Sequence, residues 1–81
     1  MTDAEILARL TDLFRSEFAD RGLVLSPCTG PADLAGWDSV RMLDVIFRIE
    51  QEFGLAFTGA EIDRFRNVQD FIEAIAARRR G

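Results

Sequence analysis

The stretch GWDSVRMLDVIFRIEQEFG, residues 36–54, decides how this chain is read. On a wheel of about 100° per residue, the part from Asp38 to Phe53 has the period of an α-helix, and Gly54 supplies the stop. Met42, Val45, Ile46, Ile49 and Phe53 fall on one stripe, enough to anchor the helix in a core. Val40, Leu43 and Phe47 form a second apolar stripe, centred more than about 90° away. The charged and polar side chains Asp44, Arg48 and Gln51 sit beside it. A small domain can scarcely bury a helix on both sides, so the second stripe is expected at the surface, where apolar patches mark partner-binding sites. At the mouth of the helix, Asp38 and Ser39 are both favoured capping residues. Ser39 also lies where free backbone N–H groups and the positive end of the helix dipole favour a phosphate.

Working outward from this helix, the chain divides into four. Thr2-Asp3-Ala4-Glu5 has the pattern of a capping box. Behind it Ile6, Leu7, Leu10, Leu13, Phe14 and Phe18 recur at helical spacing, which predicts a first helix over about Asp3 to Asp20 with Gly22 as its left-handed cap. Pro27, Gly30, Pro31 and Gly36 then punctuate a long connection predicted to lack regular structure. Connections of that length are often functional. Leu23, Val24, Leu25 and Leu34 should hold it against the bundle, and Cys28 reads as a small, partly buried loop residue. Thr58-Gly59-Ala60-Glu61 is another capping box, opening a short helix over about Ala60 to Phe65. Asn67 can cap a last helix with Val68, Phe71, Ile72, Ile75 and Ala76 on one stripe. The expected architecture is all-α: a four-helix bundle with one short helix, a long loop between helices 1 and 2, and one domain over residues 1–81.

Composition narrows the function. With 81 residues, the chain buries only about 60% of the surface its unfolded form exposes. It has one cysteine and no histidine, so neither an internal disulfide nor a common zinc spacing can be assembled. The lone thiol suits a reducing, cytoplasmic setting. The usual nucleophile–base pairs are also missing, and a chain this short has little volume for a pocket. The residues favour a binder, or a protein that is itself a substrate, over an enzyme. A net charge of -4 argues against nucleic acid, whose backbone demands a basic face. Arg78-Arg79-Arg80 reads as a complement to the last helix dipole with a solvated tail. No segment approaches the ~20 apolar residues of a membrane span, so no stable membrane association is expected, and a monomer is.

Gly36-Trp37-Asp38-Ser39-Val40, followed by Leu43, Ile46, Ile49-Glu50 and Glu52-Phe53-Gly54, resembles the acyl carrier protein family, whose hallmark is Gly-x-Asp-Ser-Leu leading into a helix that ends Leu-Glu-x-x-Phe-Gly. Phe57 stands where that family often has Ile or Val, and Asn67-Val68-Gln69-Asp70-Phe71 is similar to its entry into the last helix. The resemblance covers nearly the whole chain. It implies a non-catalytic carrier holding acyl intermediates as thioesters on a 4′-phosphopantetheine arm. That arm would be attached to Ser39 from coenzyme A by a phosphopantetheinyl transferase, with Asp38 helping the transferase recognise the serine. It further implies that the helix-2 face meets partner enzymes through Val40, Arg41, Leu43, Asp44, Phe47 and Arg48. Those partners would be acyl-loading and acyl-processing enzymes of ligase, acyltransferase, ketosynthase or condensation type.

Two departures bear on the pathway. Carriers of fatty-acid synthesis have a strongly acidic second helix, whereas here Arg41 and Arg48 stand among Asp44, Glu50 and Glu52. That balance weakens attraction to a basic partner and suggests a free-standing carrier of a secondary pathway: polyketide, modified-lipid or nonribosomal peptide. Trp37 is the other, a bulky residue that could pack on the loop or shape cargo contacts. An aminoacyl or peptidyl carrier is the alternative within the class, but its motif commonly reads Gly-Gly-x-Ser, and Asp38 favours the acyl type. An unmodified helical adaptor is the alternative of another class.

Overall fold

The computed structural model describes residues 1–80, the Arg80 side chain excepted. Its elements are α1 (Asp3–Glu17), a 3-10 turn (Pro31–Asp33), α2 (Ser39–Phe53), α3 (Gly59–Arg64) and α4 (Val68–Arg80), with no strand among the described residues. The all-α bundle with one short helix and a long first loop is therefore as its sequence suggests. α1 packs against both α2 and α4. Ile6, Leu10, Phe14, Ile49, Phe71 and Ile75 are fully buried at the centre.

Each helix starts where its capping chemistry dictates. The Thr2 hydroxyl accepts from the Glu5 N–H at 3.2 Å while the Thr2 N–H donates to the Glu5 carboxylate at 2.8 Å. Thr58 and Glu61 repeat this box at α3, so that helix begins at Gly59 and ends at Arg64, not over Ala60 to Phe65. At α4 the Asn67 side chain accepts from the Asp70 N–H at 3.1 Å. In turn the Asp70 carboxylate accepts from the Arg66 N–H at 2.8 Å.

The end of α1 differs from the sequence expectation. The helix stops at Glu17, and the left-handed residue is Ala19 at φ 51°, not Gly22. The Asp20 N–H reaches back to the Arg15 carbonyl at 3.0 Å, and that of Ala19 to Ser16 at 3.3 Å. These are the two bonds of a Schellman closure. Stopping here lets the Phe18 ring stack on Phe14, with centroids 5.7 Å apart.

The long loop is more ordered than its Pro and Gly content suggests. Besides the 3-10 turn, its carbonyls accept hydrogen bonds from the start of α4: Thr29 accepts from the Val68 N–H and Pro27 from the Gln69 N–H, both at 2.9 Å. A Cβ on Gly30 would stand 3.1 Å from the Arg66 carbonyl, a close approach that suits glycine. Leu23 and Leu25 are buried and Leu34 is half-buried, but Val24 between the first two is 76% exposed. An extended segment turns alternate side chains to opposite sides, so only two of those three could face the core. Cys28 is exposed, not partly buried.

The basic C-terminal run is not simply a solvated tail. Arg78 bonds the Ala56 carbonyl and the Glu61 carboxylate, and its guanidinium lies over the Phe57 ring. Arg79 donates to the Phe53 carbonyl at 3.1 Å, meeting a carbonyl left unused at the end of α2. The Arg80 side chain lies outside the described residues.

Candidate functional site

Asp38 is the N-cap of α2: its carboxylate accepts from the Arg41 N–H at 2.8 Å. Its backbone carbonyl takes the Met42 N–H at 2.8 Å, the first bond of the helix. Ser39 therefore stands one residue inside the helix, exposed, and does not hold the cap position. The N–H groups at the first positions of a helix have no partner within it. An anion joined to the Ser39 oxygen would meet them, with the dipole in its favour. The residues present thus fit a phosphodiester on Ser39, because Asp38 performs the capping and the serine is left over.

Beneath this exposed start the chain is anchored by Trp37, which is 4% exposed. Its ring meets Phe14 edge-on at 5.2 Å and lies within 6.4 Å of both Phe18 and Phe71. Of the two roles its sequence position allows, packing is the one observed, though against α1 and α4 and not merely the loop. The indole Nε1 is sealed from solvent and has no hydrogen-bond partner among the described residues. A buried donor left unsatisfied costs about 1–3 kcal/mol.

The second stripe of α2 is bare. Val40, Leu43 and Phe47 are 70%, 61% and 59% exposed, while Val45, Ile46 and Ile49 beneath them are buried. Asp44 is exposed beside the stripe. The two arginines behave differently. Arg41 donates to the Glu17 carboxylate at 2.8 Å and the Glu17 carbonyl at 3.0 Å, and its guanidinium lies over the Phe18 ring. The bond to Glu17, chiefly, holds the Arg41 guanidinium above its already high ordinary value. Arg48 reaches the same carboxylate at 2.9 Å and the Ser16 hydroxyl at 2.9 Å. Of the six residues expected to meet partners, four stand free on one face and two are turned back onto α1. Glu17, which gathers both arginines, gave no sign of this in the sequence. It lies 24 residues from Arg41, and nothing local links the two.

The structure thus places an exposed serine, Ser39, at the start of a helix that carries a bare apolar stripe. The family model described as "Phosphopantetheine attachment site" matches residues 4–75. Among solved structures, the chain is similar to the holo acyl carrier protein from Geobacter metallireducens, determined by solution NMR. The two are 30% identical, with a TM-score of 0.81, over 90% of this chain and 87% of that one. No curated protein matches the chain in sequence. The chain belongs to the phosphopantetheine-attachment family: it is a carrier domain of the acyl carrier type, and its cofactor is a covalent 4′-phosphopantetheine.

Proposed function

We propose that Ser39 is the attachment residue and that the protein is a free-standing acyl carrier of a secondary pathway. The observation that carries the assignment is the division of labour at the start of α2: Asp38 caps the helix, and Ser39 is exposed at the next position with no capping duty. On a phosphopantetheinyl transferase, Ser39 Oγ attacks the pantetheine-bearing phosphorus of coenzyme A, giving up its proton to a base of the transferase, where the Asp38 carboxylate beside the serine is a recognition feature. The pyrophosphate bond breaks to release adenosine 3′,5′-bisphosphate and leave the phosphopantetheinyl group on the serine. Once bound, the group supplies a terminal thiol that holds an acyl chain as a thioester. The chain itself contributes position: a capped, rigid helix start, and a face on which loading and processing enzymes dock. Val40, Leu43 and Phe47 form the centre of that face, with Asp44 at its rim. Arg41 and Arg48 act first on α1 through Glu17, tying α2 to the end of that helix.

The pathway reading rests on charge. One carboxylate, Glu17, offsets part of the charge of two arginines, so this region is neither the acidic surface that steers a carrier to basic enzymes nor its opposite. Polyketide, modified-lipid and nonribosomal peptide assembly all suit such a carrier, in a cytoplasmic, reducing setting.

The test is intact mass after incubation with coenzyme A and a broad-specificity transferase. Wild type should gain one phosphopantetheinyl group and Ser39→Ala none. No gain by wild type across several active transferases would leave an unmodified adaptor as the better reading. Ordinary turnover of the loaded protein by housekeeping fatty-acid enzymes would overturn the pathway assignment alone.

A further inference from the structure

The orphan donor of Trp37 lies two positions before Ser39, at the root of the arm. Most buried polar groups find a partner, and a buried Trp N–H usually does. Here the indole is held among Phe14, Phe18 and Phe71, none of which offers an acceptor. Its nitrogen is closed to solvent. A phenylalanine would fill much the same apolar space without leaving a donor unpaired. What the indole adds is a fixed N–H inside the bundle, two residues before the serine that would carry the arm.

We infer that Trp37 is a specificity-determining residue for the cargo: its Nε1–H donates to an oxygen on the acyl chain when that chain folds against the bundle. The class of cargo favoured is an acyl chain carrying a carbonyl or hydroxyl oxygen along its length, over a saturated alkyl chain. An oxygenated chain satisfies the donor. An alkyl chain leaves it buried and unpaired, and selectivity arises because a site built around a polar partner rejects the analogue that lacks it. The inference rests on attachment at Ser39, which the mass measurement tests separately. The arm has amide carbonyls of its own, so a carbonyl acceptor could come from two sources. The cargo is the source proposed, because the arm's carbonyls are present whatever is loaded and cannot discriminate.

The experiment loads isotope-labelled protein by transferase with hydrolysis-stable, amide-linked pantetheine analogues bearing either a saturated medium-chain acyl group or its β-oxo counterpart. The unmodified and the cargo-free forms are carried alongside, and loading is verified by mass. The indole N–H resonance of Trp37, the single tryptophan, is then followed. The β-oxo form should shift it downfield and slow its hydrogen exchange about threefold to tenfold relative to the saturated form. Trp37→Phe, which keeps a ring in the cluster, should abolish the difference in thermal midpoint between the two loaded forms. An equal change in the cargo-free form would assign the acceptor to the arm and overturn the inference. So would equal changes with both cargoes, which would mean repacking of the rings without a hydrogen bond. Because the wild-type comparison stands alone, a poorly folding variant would not remove the test.

Discussion

Ala19 holds a backbone conformation that costs an L-residue about 1–2 kcal/mol, three positions before a glycine that does not use its freedom. Phe18 and Phe14 explain the choice: closing the helix there seats both rings against Trp37. Ala19→Gly relieves the strain, less the extra freedom glycine loses on folding. It should therefore raise stability by about 0.5–1 kcal/mol, measured by urea unfolding. The local pattern pointed to Gly22 because propensity sees only neighbours, whereas the ring cluster joins residues from α1, the loop and α4. Asp38 was legible as a cap of α2 for the opposite reason. Cap chemistry is local, and a carboxylate three residues before an N–H in a helix start has few other uses.

At the scale of the element, α2 carries two apolar stripes, one buried in the core and one bare. Phe14 of α1 is fully buried while Phe47 of α2 is 59% exposed. Phe14→Ala should cost about 3–5 kcal/mol. Phe47→Ala should change stability by less than about 0.5 kcal/mol, while lowering turnover of the loaded carrier by its processing enzyme. Thermal unfolding and a single-turnover transfer assay on the same two variants separate a core role from the proposed docking role. A large stability loss at Phe47, or undiminished transfer, would refute that division. The wheel placed these stripes correctly because period is a property of one helix. It could not place Arg41 and Arg48, whose partner Glu17 lies on another element.

For the whole molecule, the helices are held by capping boxes and side-chain bridges distributed around the bundle, and two of the carboxylates involved are poised by them. The Thr2 backbone N–H chiefly holds Glu5, and the Thr58 N–H with Arg78 holds Glu61, below the ordinary value of 4.5. A carboxyl with a lowered folded value stabilises the fold above its unfolded value and loses that contribution as pH falls through the folded one. The urea midpoint should therefore be flat near neutrality and decline below about pH 4.5. Substituting Glu5→Gln and Glu61→Gln together keeps the capping boxes but should flatten that acid limb. By itself the sequence determined the helix count, the exposed stripe and the capping boxes at Thr2 and Thr58, because period and caps are written within a few residues. Only the tertiary structure decided where α1 ends, that Trp37 is core with an unpaired N–H, that the loop bolts onto α4, and that both arginines of α2 answer to Glu17. Each of those depends on which distant residues come into contact, and that is settled by packing the whole chain at once.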